Sequence, residues 1–303
     1  MKDKKIDYLK FLERIYDELF TGLYNNTCYV FLCGGAGKNC IRDKVRKHLE
    51  GKQIQVLYPE DLFIEMLNRN KNTDLLQYEN LLAESADIIF IICESIGSSA
   101  ELGAFVQNDI MRNKLLVGIN KKYSRDKSFI MDGPVKKIKN NAYENVMIYN
   151  VNALSEFYDN LDRYFKLIKS KIKSKRFTSA KKKSAFSLLP EYISFIPLVI
   201  YFFKEINRSE LFINAKLFVN KRFGDQKDYN ELFNAALNYL HKLGIVAMDS
   251  TSAIKGNWHN ENLRLSKKGY DWVLELLENS HIPNKLLLHD KLRCDILKEQ
   301  LYK

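Results

Sequence analysis

Five short apolar runs alternate with amphipathic stretches along the first half of the chain. The apolar runs lie at 27–33, 54–58, 87–93, 114–120 and 145–149. Apolar residues at helical spacing fill the gaps, at about 39–50, 74–85, 99–112 and 152–170. Buried apolar strands that alternate with helices are typical of a parallel sheet covered on both faces. The pattern therefore predicts an α/β fold with a doubly wound parallel five-stranded sheet.

The second half of the chain has a different pattern. Helical periodicity is found at 190–205, 208–220 and 228–243, and two short strand patterns follow at 245–249 and 262–266 before a closing helix. Three helices followed by a β-hairpin predict a mainly α winged helix-turn-helix domain. Such domains bind DNA or dock other proteins, and the sequence leaves both functions open.

A basic stretch separates the two patterns. Residues 166–183 contain nine Lys or Arg and no acidic residue, and they hold nearly all of the chain's net charge of +11. The predicted organisation is an α/β domain at 1–165, which includes a leading amphipathic helix at 5–22, a basic linker at 166–186 and the winged-helix domain at 187–303. The linker is either a solvated spacer or a site for a phosphate backbone. The candidate nucleic-acid-binding residues are Lys171, Lys173, Lys175, Arg176, Lys181, Lys182 and Lys183.

Composition excludes several classes of protein. The most apolar segment, 192–203, is too short to span a membrane and contains Pro197. Five cysteines without C-x-x-C spacing and five scattered histidines argue against a disulfide framework and a zinc site. We therefore expect a cytoplasmic protein with reduced thiols, no metal and no membrane contact.

Glycines and carboxylates follow the predicted strands. Gly34 and Gly35 follow the first strand, but the Walker and dinucleotide-binding glycine patterns both fail there. Asp61 follows the second strand and Glu94 follows the third. Because ligands of parallel α/β sheets bind beyond the carboxyl ends of the strands, this edge is a candidate site.

The segment that follows Glu94 has two interpretations. Ser98 and Glu101 fit the S/T-x-x-E pattern of a helix capping box. Alternatively, the segment belongs to an active site beyond the strand ends, where the start of a helix would keep Glu101 ionised. Ser98 and Ser99, together with the basic residues at 121–127, would then favour a substrate that carries phosphate.

Four segments carry a resemblance to a known family. They are "FLCGG", "LYPEDLF", "LLQYENLLAESADIIFIICESIGSSAELGAF" and "RDKSFIMDGPV", within about residues 29–135. This region resembles the nucleoside deoxyribosyltransferase-like effectors of retrons. The resemblance implies that Glu101, in the E-L-G motif, is the catalytic carboxylate and that Glu79 orients the reacting group. Ser95 stands where the family has a second aspartate, next to Glu94.

The resemblance also implies a function and partners. Effectors of this kind are expected to be anti-phage toxins that a reverse transcriptase and its multicopy single-stranded DNA and RNA control, and they are expected to form homo-oligomers. NAD, cleaved to nicotinamide and ADP-ribose, is the preferred substrate, and no cofactor is expected. Two alternatives stay open: an N-glycosidase or deoxyribosyltransferase that acts on nucleotides or nucleic acid, and a non-catalytic nucleotide-sensing DNA-binding regulator.

Overall fold

The chain divides into two compact units in a computed structural model. One unit comprises residues 27–178, and the other comprises residues 1–26 together with 179–303. The structure describes residues 6–35, 37, 40–50, 52, 54–58, 83, 86–178, 186–250, 261–279 and 285–301, with the backbone alone at 173–178, 249, 250, 279 and 285. We call residues 27–178 the α/β unit and the rest the helical unit.

The α/β unit contains the predicted strands. They are β1 (Cys28–Cys33), β2 (Ile54–Leu57), β3 (Ile88–Cys93), β4 (Leu115–Asn120) and β5 (Val146–Tyr149). The described helices of this unit are α3 (Ile41–Leu49), α4 (Ile96–Gln107), α5 (Asp109–Arg112), α6 (Lys136–Asn141) and α7 (Ser155–Thr178). All five strands pair in parallel in the order β2-β1-β3-β4-β5, which confirms the α/β prediction. The helix predicted at 74–85 lies largely outside the described residues.

Helices pack on both faces of this sheet because successive residues of a strand point to opposite sides. Val30 and Leu32 of β1 pack in one core cluster with Val45 of α3 and Leu161 of α7. Phe31, between them in sequence, instead contacts Phe105 of α4, with ring centroids 6.3 Å apart. The near-continuous apolar strands are therefore explained by burial on both faces.

The helical unit begins with α1 (Tyr8–Ile15), a π-helical turn (Tyr16–Phe20) and α2 (Thr21–Asn26). Its later elements are α8 (Leu189–Phe203), β6 (Glu205–Asn207), α9 (Arg208–Phe223), α10 (Tyr229–Lys242), β7 (Val246–Ser250), β8 (Glu261–Leu265), α11 (Lys267–Asn279) and α12 (Lys285–Leu301). The three strands form an antiparallel sheet in the order β6-β8-β7. Strand β6 and helix α12 were not anticipated from the sequence.

Helix α8 is the core of the helical unit. Every one of its residues is buried, because α1, α10, α11, α12, β6 and β8 pack around it. The prediction that this apolar segment is a core helix is thus confirmed. Within the described part of the chain, no helix is both long enough and apolar enough to cross a membrane.

The leading helix packs in the helical unit, which differs from the expected grouping with residues 27–165. Its apolar face, including Phe11, Leu12 and Ile15, is buried as a core face. Its polar side pairs with α9: Lys221 donates to Glu13 at 2.8 Å, and Arg222 pairs with Asp17. The amphipathic pattern of this helix predicts that one face is buried, but it does not predict which distant residues pack against that face.

The basic stretch also differs from the expected linker. Residues 166–178 continue helix α7, which runs unbroken from Ser155 to Thr178. Ile168 and Ile172 pack against the core of the α/β unit, and the Nζ of Lys169 donates to the Lys52 carbonyl at 2.7 Å. The helix therefore ends eight residues beyond the predicted end at 170, and its apolar contacts extend to Ile172.

Candidate functional site at the carboxyl edge of the parallel sheet

The strand order defines a topological switch point between β1 and β3. The chain leaves β1 towards β2 on one side, whereas it leaves β3 towards β4 on the other. A crevice forms outside the carboxyl ends of two such strands, and ligands of open α/β sheets bind there. Gly34 and Gly35 follow β1 at this point, and Glu94 follows β3.

Glu94 caps helix α3. Its Oε1 accepts hydrogen bonds from the backbone N–H groups of Gly35 at 3.3 Å and Arg42 at 3.4 Å. Its Oε2 accepts from the N–H of Ile41 at 3.3 Å. A carboxylate is stabilised there because the N-terminus of a helix carries unpaired N–H groups and a partial positive charge. The anion-binding end of α3 is therefore filled by the protein's own side chain.

The two glycines make room for protein side chains. A Cβ on Gly35 would lie 3.1 Å from Cγ of Glu94, and a Cβ on Gly34 would lie 3.0 Å from Cβ of Arg42. From their place after β1, these glycines are expected to let a ligand approach the backbone closely. Their close neighbours are Glu94 and Arg42, and a role in substrate binding stays a prediction.

The interpretation of Ser98 and Glu101 as a capping box is wrong. Helix α4 is capped by Ser95, whose Oγ accepts from the Ser98 N–H at 3.1 Å. The Ser98 Oγ in turn accepts from the N–H of Ser95 at 3.0 Å. The helix starts earlier than expected because Ser95 has the extended backbone of an N-cap and Ser98 supplies the reciprocal bond.

The revised helix start changes the setting of Glu101. This residue is half-buried in the second turn of α4, beyond the first turn in which a helix dipole acts strongly. It lies three residues after buried Ser98 and four before buried Phe105, so it borders the buried face of the helix. The helix that follows β3 thus holds a half-buried carboxylate in its second turn.

The serines at the start of α4 are used within the turn. Ser98 is 1% exposed, and its hydroxyl also contacts the Glu94 N–H at 3.2 Å and the Ser95 carbonyl at 2.9 Å. Ser99 is half-buried, and its Oγ donates to the Ser95 carbonyl at 2.9 Å and lies 3.5 Å from Cys93 Sγ. Both serines therefore support the geometry of the turn, and their predicted contact with substrate is untested.

Other predicted site residues fall outside the described chain. Glu79 and Asp61 are among them, as are Lys181, Lys182 and Lys183. Lys173, Lys175 and Arg176 lie in α7, and Lys171 is exposed on that helix. The pairing of Glu79 with Glu101 accordingly stays a prediction.

Two residues at this edge were not predicted from the sequence. Arg42 is only 7% exposed, and its guanidinium carbon lies 4.6 Å from the ring centroid of Tyr58, which follows β2. Burial raises the pKa of the Tyr58 hydroxyl despite the opposing charges of Arg46 and Arg42. The only sequence signal for Arg42 is the glycine at position 34, whose missing side chain makes space for it.

Tyr149 is the second missed residue, at the end of β5. Its side chain is buried, and burial raises the pKa of its hydroxyl, with a further rise from the neighbouring acidic groups of Glu94, Cys93 and Tyr123. Tyr149 pairs in register with Asn120, the last residue of β4, so it lies at the same sheet edge. Among the described residues, no group of three or more His, Cys, Asp or Glu side chains is placed to hold a metal ion.

Comparison with known proteins identifies the family. A family model described as STM3845 retron effector protein matches residues 38–248, which is most of the chain. The chain therefore belongs to this retron effector family. The match includes Glu79, Glu94 and Glu101 but begins after Gly35.

Two Escherichia coli proteins are similar to part of the chain. A protein of retron Ec86, named as a candidate ribosyltransferase and DNA-binding protein, is 37% identical over 133 residues, or 43% of this chain. A protein of retron Ec73 with the same description is 36% identical over 118 residues, or 36% of this chain. The matched segments span 43% and 37% of those two proteins.

Proposed function

We propose that this retron effector is a toxin that hydrolyses an N-glycosidic bond, with NAD as its substrate and nicotinamide and ADP-ribose as its products. The observation that carries the proposal is the half-buried carboxylate of Glu101, held in the second turn of α4, the helix that follows β3. The relatives from retrons Ec86 and Ec73, which are named as candidate ribosyltransferases, support glycosyl chemistry.

A carboxylate suits this reaction. When the bond between C1′ of ribose and the nicotinamide nitrogen breaks, the electron pair leaves with nicotinamide and positive charge develops at C1′. Glu101, on the opposite face, stabilises that charge or bonds to C1′ until water displaces it. Water supplies hydroxide to C1′ and releases a proton. Glu79 orients the reacting ribose in this proposal.

The remaining edge residues shape the site. Glu94 and Ser98 hold the starts of α3 and α4 through their own hydrogen bonds. Gly34 and Gly35 allow that close packing, while Ser99 and Asp61 contact the substrate. Arg42 adds a permanent positive charge to an edge that is otherwise rich in carboxylates, which favours a substrate with phosphate groups.

The helical unit is a winged helix-turn-helix in this proposal. Its support is the order α8, β6, α9, α10, β7, β8 and α11, with the three strands in one antiparallel sheet. Helix α10 would be the recognition helix, but Asn234 accepts from Arg208 at 3.2 Å and Asn230 accepts from Lys216 at 3.3 Å. Because these amides already have protein partners, the face suits a docked protein better than base recognition.

The partners follow from membership of a retron effector family. The helical unit docks the retron reverse transcriptase, and the basic residues from Lys171 to Lys183 bind its multicopy single-stranded DNA or RNA. A homo-oligomer forms the working assembly. The relatives are named as DNA-binding, which supports nucleic-acid contact.

A second candidate function is a non-catalytic regulator that senses a nucleotide and binds DNA. The capture of the α3 N-terminus by Glu94 favours it, because a substrate phosphate is excluded from that position. Nucleotides or bases in nucleic acid are alternative substrates for the enzyme.

One experiment separates these functions. The purified protein, with and without its retron complex, is incubated with NAD and with a panel of nucleotides and oligonucleotides, and released bases are measured by chromatography. We expect equal amounts of nicotinamide and ADP-ribose from NAD. Release of a free base from another compound would identify that compound, and not NAD, as the substrate. If no compound releases a base, the non-catalytic regulator is the remaining candidate function.

A further inference from the structure

The segment after β4 exposes aromatic rings between positive charges. We call residues 121–129 the β4 turn. It contains four basic residues, Lys121, Lys122, Arg125 and Lys127, against one acidic residue, and all four are exposed. Two rings lie among them: Phe129 is 85% exposed and Tyr123 is 49% exposed.

Local hydrogen bonds fix the shape of the β4 turn. Asn120 Oδ1 accepts from the Lys122 N–H at 3.0 Å, and the Ser124 Oγ donates to the Lys121 carbonyl at 2.8 Å. Near Phe129, the Asp132 N–H donates to the Ser128 carbonyl at 2.9 Å. The backbone therefore presents the two rings without the entropy cost of ordering a flexible loop on binding.

The rings are available for stacking. Tyr123 carries the Lys122 ammonium 5.3 Å from its ring centroid, so one cation already lies over this exposed ring. Phe129 has no polar group, and 85% of it is exposed even though Gly133 lies beside its ring. Exposed rings between cations are the arrangement by which proteins bind single strands, since bases stack on the rings and phosphates pair with the cations.

We propose that the β4 turn binds single-stranded nucleic acid, with bases stacked on Tyr123 and Phe129 and phosphates paired with Lys121, Lys122, Arg125 and Lys127. This segment is distinct in sequence from the basic residues of α7. It follows β4, the neighbour of β3, so the bound strand lies at the same sheet edge as Glu94. The inference does not depend on N-glycosidase activity.

The test is fluorescence anisotropy with a labelled single-stranded oligothymidylate of about 12 nucleotides. The double substitution Tyr123→Ala with Phe129→Ala should weaken binding about tenfold or more, because two stacking contacts are lost. Lys121→Gln with Lys122→Gln should lower the slope of log affinity against log salt by about 1.4, which corresponds to two phosphate contacts on a single strand.

Two control variants match these changes elsewhere in the α/β unit. Tyr143→Ala removes an aromatic side chain that is 76% exposed and precedes β5. Lys136→Gln with Lys137→Gln removes two exposed charges from α6. Both controls should bind the oligonucleotide within about twofold of the wild type, as expected for residues outside the contact.

Three results would overturn the proposal. The first is unchanged affinity of the aromatic double variant, and the second is an equal loss in the matched controls. The third is displacement of the oligonucleotide by NAD together with loss of NAD binding in the same variants. That result would assign the β4 turn to NAD binding. A duplex of the same length should bind more weakly and be insensitive to the aromatic changes. Thermal melting checks that each variant is folded.

Discussion

The carboxylate of Glu94 accepts a hydrogen bond at 3.3 Å from the backbone N–H of Ile41, the first residue of α3. This bond joins the end of β3 to a helix that follows β1, so it links two neighbouring strands at the switch point. The carboxylate of Glu94 therefore occupies the helix N-terminus, the position at which many α/β proteins bind the phosphate of a ligand.

Replacement of Glu94 should therefore affect stability first. Glu94→Ala removes a cap and a favourable dipole interaction and should destabilise the α/β unit by about 1–2 kcal/mol. Glu94→Gln retains an acceptor oxygen and should cost less, about 0.5 kcal/mol. Urea unfolding measures both. Equal stability of the Ala variant and the wild type would contradict the capping role.

Gly269 offers a prediction for the helical unit. A Cβ at this position would lie 2.0 Å from the carbonyl oxygen of Ile245, so Gly269→Ala should destabilise the unit by about 3 kcal/mol or more. Gly103→Ala is the matched control within α4, because no atom lies within 4 Å of the added Cβ. That change should stabilise by about 0.5–1 kcal/mol. Calorimetry distinguishes the two, and a tolerated Gly269→Ala would show that the contact relaxes.

Lys169 and Lys171 on α7 should behave differently. Lys169→Gln loses the bond to the Lys52 carbonyl and should reduce stability by about 1 kcal/mol. Lys171 is exposed, and replacing it together with Lys173, Lys175, Arg176 and Lys181 to Lys183 by Gln should flatten the salt dependence of retron nucleic-acid binding. Filter binding over a salt series measures this. An unchanged slope would leave these residues without a contact to phosphate.

The interactions of Asp162 should make the stability of the α/β unit depend on pH. Partial burial acts to raise the pKa of Asp162, but hydrogen bonds from Lys52 and His48 and their charges lower that pKa below its ordinary value of 3.8. The folded-state pKa is depressed, so the interaction stabilises above pH 3.8 and is lost as pH falls through the lower folded value. Asp162→Asn should cost less than about 1 kcal/mol at neutral pH, since the pair is partly exposed.

The matched control for this pH effect is Asp159→Asn, an exposed carboxylate on the same helix. Unfolding curves at neutral pH and at about pH 2 should show the difference between Asp162→Asn and the wild type only at the higher pH. A difference that persists in acid would assign the effect to packing.

The strands could be predicted from the sequence because burial on both faces leaves a direct pattern. The predicted run at 87–93 and the observed β3, Ile88–Cys93, differ by one residue. The start of α4 could not be predicted as well, because Ser95, Ser98 and Ser99 all offer a capping hydroxyl. Their spacing in the sequence does not show which of them is the N-cap. The reciprocal hydrogen bonds between Ser95 and Ser98 identify Ser95 as the N-cap.

Contacts between residues far apart in the sequence could not be predicted, for a different reason. The hydrogen bond between Glu94 and Ile41 depends on the strand order, because that order brings β1 beside β3. The position of the leading helix depends on pairs such as Lys221 with Glu13, more than 200 residues apart in sequence. Amphipathic patterns predict that a face is buried, but the identity of its partner requires the fold.

Glu101 provides the decisive prediction for the proposed chemistry. Since it lies beyond the first turn of α4, Glu101→Gln leaves the Ser95 and Ser98 cap intact and should change stability by less than about 0.5 kcal/mol. If its charge stabilises C1′, the neutral amide should lower nicotinamide release by about a hundredfold or more. Toxicity and phage defence should be lost, while association with the retron partners is retained.

Ser98→Ala is the control that separates chemistry from structure. It removes the buried hydroxyl that accepts from the Ser95 and Glu94 N–H groups, so it should reduce stability by about 1–2 kcal/mol. The folded fraction should nevertheless release more nicotinamide than Glu101→Gln does. Glu101→Gln is therefore expected to be the more stable of the two variants, and Ser98→Ala is expected to be the more active. Wild-type turnover by Glu101→Gln would remove this carboxylate from the reaction and leave the N-glycosidase proposal without its nucleophile.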